Sequence, residues 1–221
     1  MNKILIVSPH ADDETLGCGG TILKHKKNKD KVIWLIVTKI NKKGNYSENQ
    51  IKLRKNEIIE VKKEYGIDKV YELNYIPSSL TYNHLGQLIS NFQEIIEFEK
   101  PDQLYIPHKF DIHSDHRVVC NAINPFTKTF RYPFIKKIIA YETLSETNFI
   151  LNSNEQFVPN LWIDISNFID IKIKISKIYK SEFFKHPFPR SEDSLKSLAI
   201  YRGSQINVKF AESFMILKQL L

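Results

Sequence analysis

The stretch Lys3-Ile4-Leu5-Ile6-Val7-Ser8 is a short, unbroken apolar run that stops at Pro9. With no polar residue alternating through it, it reads as a β-strand buried on both faces, as in a parallel sheet. Residues 32–38 (VIWLIVT) repeat the pattern, and residues 70–73 and 104–106 are shorter versions of it. Helical patterns lie between these runs, over residues 21–29, 51–65 and 85–98. In the second, Leu53, Ile58, Val61 and Tyr65 recur at helical spacing and Gly66 stands where a C-cap belongs. Strands alternating with helices build βαβ units, and right-handed crossovers place helices on both faces of a parallel sheet. The expected class is therefore α/β, a Rossmann-like three-layer sandwich with a mostly parallel sheet.

Farther along, residues 138–141 and 162–165 read as strands, and residues 167–184 and 192–200 as helices. His186-Pro-Phe-Pro-Arg-Ser191 is a proline-punctuated loop. Residues 211–217 fit either a strand closing the sheet or a terminal helix, and periodicity does not choose. No repeat or long linker divides the chain, so residues 1–221 are expected to form one domain.

The chain has 221 residues, 42% hydrophobic and 26% charged, an ordinary globular composition. Its apolar runs are too short to span a bilayer, and MNKILIVSPHADDE turns polar too early for a secretion signal, which predicts no stable membrane anchor. Two cysteines, Cys18 and Cys120, make no disulfide framework, so a reducing cytoplasm is the expected compartment. The net charge is +7, but the lysines are scattered, and there is no aromatic RNA-binding motif, finger spacing or recognition helix. That argues against nucleic acid and favours, at most, a substrate with an anionic appendage.

Two polar clusters follow predicted strands, where open parallel sheets place their sites. The first is Ser8-Pro9-His10-Ala11-Asp12-Asp13-Glu14; the second runs from Pro107 through His108, Asp111, His113, Ser114 and Asp115 to His116. His10 and Asp13 can face one point, and His116 supplies a third ligand from the other loop. Two imidazoles and a carboxylate suit catalytic zinc with an open position, and they also suit iron(II). Asp12, next to the ligand Asp13, is the candidate general base for an attacking water. His113 is the candidate donor to a developing oxyanion, with Asp115 orienting and charging its imidazole. Taken singly, an Asp-Asp-Glu run also fits a helix N-terminus and a His-x-Asp-His run a solvated turn. Gly17-Cys18-Gly19-Gly20 lacks nucleotide-loop spacing, and the glycines are read as letting the first helix pack close to the sheet. Both cysteines are read as packing residues.

Pro9-His10-Ala11-Asp12-Asp13-Glu14 and His113-Ser114-Asp115-His116 resemble the two signature motifs of the PIG-L / LmbE-like deacetylases. Arg54-Lys55-Asn56-Glu57 resembles that family's R-x-x-E, although an i,i+3 surface ion pair also explains it. Pro189-Arg190-Ser191, Arg202-Gly203 and Ala211-Glu212-Ser213-Phe214 resemble later segments of some members. Ala11 stands where proline is usual, which removes backbone stiffness but no ligand atom.

The resemblance implies the LmbE-like fold and a zinc-dependent deacetylase acting on an N-acetylglucosamine-type sugar conjugate. His10, Asp13 and His116 would hold the metal, and Asp12 would be the base. His113 and Asp115 would serve the oxyanion, and Arg54 the sugar. Some members are oligomers, which leaves a homo-oligomer open. Two rivals stand beside this reading: a metal-dependent hydrolase of another small amide or carbamoyl group, and a non-catalytic Rossmann-like module with a structural metal.

Overall fold

The structure is a computed structural model, and it describes residues 1–220. In chain order its first part comprises β1 (Lys3–Ser8), α1 (Asp13–Lys27), β2 (Lys31–Thr38), α2 (Glu48–Tyr65), β3 (Lys69–Tyr75), α3 (Leu85–Glu99) and β4 (Gln103–Ile106). Its second part comprises α4 (Ser114–Ile123), β5 (Lys137–Tyr141), β6 (Leu161–Asp164), α5 (Ile169–Ser176), α6 (Glu192–Ser204) and β7 (Ala211–Gln219). The strands form one seven-stranded sheet in the order β3-β2-β1-β4-β5-β7-β6. The first five run parallel, and β7 lies antiparallel to both β5 and β6. The three-layer α/β expectation is met.

Period-two alternation sorts β1 and β2 between two cores. Leu5, Val7, Ile33 and Leu35 pack with Leu88, Phe92 and Ile96 of α3 and Val119 of α4. Ile4, Ile6, Val32 and Trp34 pack on the opposite face with Ile22 of α1, Val61 of α2 and Ile175 of α5. A smaller cluster of Leu16, Ile169, Ile173, Leu195 and Ala199 seats α6. Trp34, fully buried, donates its indole N–H to Ser8 Oγ at 3.0 Å, so this polar group does not oppose burial.

Two sequence expectations change, and one left open is decided. The helix expected from residue 21 begins at Asp13, because the Asp12 carbonyl accepts from the Thr15 and Leu16 amides and opens the helix at once. The glycines and Cys18 therefore lie inside α1 and not in a turn. A Cβ at Gly17 would come within 2.5 Å of the Tyr141 ring, and one at Gly20 within 2.5 Å of Ile165 Cγ2. Close packing offsets the helix penalty of about 1 kcal/mol per glycine. The helix expected over residues 167–184 stops at Ser176. Beyond it the Lys180 amide donates to Glu57 and the Phe184 amide to the Arg190 carbonyl, which diverts the backbone from the helical ladder. Residues 211–217 are strand, within β7.

Candidate active site

Strand order reverses between β1 and β4, which are parallel neighbours whose following helices leave from their carboxyl ends. That reversal opens a crevice beyond the two strand ends. The loop after β1 brings His10, Asp12 and Asp13 there. The loop after β4 and the start of α4 bring Asp111, His113, Asp115 and His116. The two sequence clusters, some hundred residues apart, thus meet.

His10 Nδ1, Asp13 Oδ2 and His116 Nε2 form a triangle with sides of 3.6, 3.3 and 3.3 Å. A tetrahedral ion with bonds of about 2.0–2.1 Å requires ligand-to-ligand edges of about 3.3–3.4 Å, so the donor set fits a zinc-sized cation. The other Asp13 oxygen is buried and without a partner, as expected of a carboxylate meant to face a cation. His10, His113 and His116 also bring ligand atoms within 4.8 Å of one another. The Asp13 triangle is the better fit, since it is tighter and supplies a negative charge.

The supporting shell comes from carboxylates. Asp111 Oδ2 holds His116 Nδ1 at 2.9 Å and its Oδ1 accepts the His113 amide at 2.9 Å. Asp115 Oδ2 lies 3.0 Å from His10 Nε2 and accepts the Ser78 amide at 2.7 Å, while Oδ1 accepts the Leu80 amide at 3.0 Å. Burial works against charge on His10, but Asp115 and Asp13 outweigh it and lift the imidazole to about 9. His116 is likewise raised against burial by Asp13 and Asp111.

The sequence places Asp115 behind His113; the structure divides that task differently. Asp115's carboxylate serves His10, and only its backbone amide reaches His113, donating to Nδ1 at 3.1 Å. Burial, together with His10 and His116, lowers the His113 imidazole to about 4, so it is neutral and not charged. With Nδ1 accepting, its proton sits on Nε2.

Asp12 is buried, and its Oδ2 accepts from Arg190 Nη1 at 2.8 Å. Burial raises its carboxyl and the arginine opposes that rise. Arg190 also binds Ser145 Oγ, Glu146 and Glu182. Neither Arg190 nor Asp111 is assigned a role by sequence; the available signals were the family-like Pro189-Arg190-Ser191 segment and the place of Asp111 within the second polar cluster. Glu14 is uncharged at neutral pH, raised to about 8 by burial although Thr15 and Tyr179 donate to it.

Above this floor lies a cleft of about 320 Å³, the size of a small-molecule site. His10, Asp12 and His113 line its base, and Tyr46, Ile51 and Leu53 its outer wall. Arg54 also lines it, as expected, but its three nitrogens are engaged by the protein. They bind the Ala11 carbonyl, Glu57, and Ser181 with Glu182. The ion pair with Glu57 expected of an R-x-x-E helix exists at 3.1 Å, but it is buried and not superficial.

Residues 5–126, more than half the chain, match the family described as PIG-L: GlcNAc-PI de-N-acetylase. The chain belongs to the PIG-L family. It is, accordingly, an amide hydrolase of the N-deacetylase class. The diacetylchitobiose deacetylase of Thermococcus kodakarensis is 23% identical over 225 residues, covering 96% of this chain and 82% of that protein. The N,N'-diacetylchitobiose deacetylase structure from Pyrococcus horikoshii superposes with a TM-score of 0.78 at 24% identity, covering 98% of this chain and 84% of that one. GalB of Pseudomonas putida, a 4-carboxy-2-hydroxymuconate hydratase, shares the fold at a TM-score of 0.73 and 15% identity, covering 100% and 98%. A hydratase on this fold means that likeness of fold alone does not fix a reaction, and the mechanism must be argued from the site. The PIG-L match ends before β5, so Glu146, Glu182 and Arg190 come from the remainder.

Proposed function

We propose that this chain, acting as one domain, removes the N-acetyl group from an N-acetylglucosamine-type sugar, releasing acetate and a free amine. The observation that carries the reading is the base of the cleft: a buried carboxylate, Asp12, beside a His–Asp–His donor triangle sized for a divalent ion. Its membership among de-N-acetylases and its likeness to chitobiose deacetylases support an acetamido sugar over other amides.

His10, Asp13 and His116 are the residues that would hold the metal, zinc or iron(II), which supplies Lewis acidity toward the carbonyl and acidifies water. Asp12 takes the proton from the attacking water as the new C–O bond forms. Arg190 opposes the rise that burial imposes on that carboxyl and keeps it aimed. His113, neutral with its proton on Nε2, donates to the oxyanion. The proton held by Asp12 then passes to the nitrogen as the C–N bond breaks, and the remaining proton of the new carboxylic acid is given up to the amine or solvent, so acetate and a protonated amine leave in balance. Asp115 acts one step back, by orienting His10. Arg54 shapes the wall along which the sugar rests.

No helix among the described residues is long and apolar enough to cross a membrane. Cys18 and Cys120 are buried, free thiols, which accords with a cytoplasmic setting.

The test is acetate release from N-acetylglucosamine conjugates with added zinc, with chelator, and with Asp12→Asn. Removing a general base costs about 10²–10⁴-fold in rate. Metal-dependent release lost in Asp12→Asn, with metal stoichiometry unchanged, supports the reading. Full activity in Asp12→Asn refutes the mechanism.

A further inference from the structure

The chain carries a net charge of +7, and that excess suggests an anionic substrate. The cleft itself argues otherwise. Four cationic side chains line it, Lys39, Arg54, Lys55 and Arg190, and four acidic ones face them. Lys39 is paired with Glu72 at 3.4 Å. Arg54 holds Glu57 at 3.1 Å and Glu182 at 2.6 Å. Arg190 is shared among Asp12 at 2.8 Å, Glu146 at 2.7 Å and Glu182 at 3.4 Å. Only Lys55, on the exposed side of α2, has no ion pair among the described residues.

Guanidinium groups recognise phosphate through free, parallel N–H donors. Here both Nη atoms of each arginine and Nε of Arg190 already donate to protein acceptors, and Nε of Arg54 lies 3.1 Å from Glu57. Glu182 occupies the place between the two guanidiniums that a phosphate would need, bridging Arg54 and Arg190 from a chain segment outside the family match. The N-terminus of α1, the other common anion site, is taken by Asp12, Asp13 and Glu14. An anion that sits between the two arginines must therefore displace Glu182 and compete with arginine–carboxylate pairs, one of which holds Asp12, and the unpaired cation open to it among the described residues is Lys55 at the exposed side of α2. A neutral sugar breaks none, and it meets the apolar wall of Tyr46, Ile51 and Leu53.

We infer that the cleft selects an uncharged N-acetylamino sugar and discriminates against one bearing phosphate beside the acetamido ring, with Glu182 as the specificity-determining residue. This rests on the deacetylase reading above.

The experiment compares methyl N-acetylglucosaminide with N-acetylglucosamine 1-phosphate, two substrates of similar size that differ in charge. Acetate release is measured with the metal-loaded wild-type chain and with Glu182→Gln. The expected result is a kcat/KM at least tenfold higher for the neutral glycoside. In Glu182→Gln, which frees donors on both arginines, the preference narrows at least threefold through faster turnover of the phosphate. Equal or preferred turnover of the phosphate by the wild-type chain overturns the inference while leaving the deacetylase reading intact. An unchanged preference in Glu182→Gln overturns the role of that residue. Release from neither sugar overturns the deacetylase reading, and this inference with it.

Discussion

Replacing Asp115 with asparagine separates two accounts of the site. The carboxylate is fully buried and has three partners: the Ser78 and Leu80 amides and His10 Nε2. An asparagine of the same shape keeps one acceptor oxygen and turns an NH2 toward the rest. In one orientation that NH2 opposes the Leu80 N–H; in the other it opposes Ser78 and His10. Either way a buried donor loses its acceptor, which costs about 1–3 kcal/mol. The ring it loosens is His10, whose other nitrogen faces Asp13 and His116. Even in the orientation that leaves His10 an acceptor, a neutral amide replaces the carboxylate, and weakening the outer partner of a ligating imidazole lowers metal affinity about 10–100-fold, equivalent to about 1.4–2.8 kcal/mol.

The assay is competition for zinc against a chromophoric chelator, paired with kcat at saturating metal. Asp115→Asn is expected to lose about 10–100-fold in affinity while kcat at saturation falls less than that. His113→Ala is the contrasting control: affinity nearly unchanged, kcat down by about 10²–10³-fold, the loss expected of an oxyanion donor. If Asp115→Asn instead binds zinc like wild type and loses kcat as His113→Ala does, the carboxylate acts on His113. The structural account is then wrong.

Three further outcomes test the scaffold. Gly20→Ala would press a methyl group within 2.5 Å of Ile165 Cγ2, an overpacking cost of about 1–3 kcal/mol. Thermal melting should then shift down by about 3–10 °C, and an unchanged melt would mean that α1 stands off from Ile165, just beyond β6. Glu99 is buried, which disfavours its charge, yet Lys69, Tyr71 and Lys31 outweigh burial and hold it down to about 2. A depressed carboxyl stabilises above its unfolded value and loses that contribution as pH falls toward 2, so wild type should exceed Glu99→Gln by about 1–3 kcal/mol at neutral pH. In denaturant titrations that gap should shrink below about pH 4.5 and close as pH reaches about 2, and a gap that stays constant over that range would contradict the linkage. Burial pushes the Cys18 thiol well up and Cys120 to about 12, so neither should react with a disulfide reagent until the chain is unfolded. A fast-reacting thiol in the native protein would be incompatible with that burial.

The parallel core was legible because its strands are buried on both faces, which forces continuous apolar runs such as those of β1 and β2. Local signals also marked the end of α2 at Gly66, which adopts φ +66°. What local signals misplace is the start of α1. Its glycines count against a helix when propensity is summed, and only the neighbours Tyr141 and Ile165, far along the chain, explain why they are there. The segment after α5 fails similarly. Its amides are claimed by Glu57 and by the Arg190 carbonyl, and no window of residues 167–184 contains that competition.

The site shows the same division between short-range and long-range chemistry. His10, Asp12, Asp13, His113 and His116 sit in compact motifs, so spacing alone groups them in the two loops that the fold brings together. Spacing then misassigns Asp115, because in sequence its nearest imidazoles are His113 and His116, whereas its carboxylate reaches His10, 105 positions away. Arg54 carries the same lesson further. An arginine three residues before a glutamate can be an ion pair or a hand for the substrate, and sequence cannot tell which donors remain free. Folding turns both Nη atoms inward by bringing up Ala11, Ser181 and Glu182, while Nε faces Glu57. The first of these contacts bears on the metal loop directly: Arg54 holds the carbonyl of Ala11, the residue standing where a proline would have stiffened the turn between His10 and Asp13. A side chain that sequence reads as reaching outward to a sugar reaches inward, and the rigidity that Ala11 lacks in its own backbone is supplied from α2.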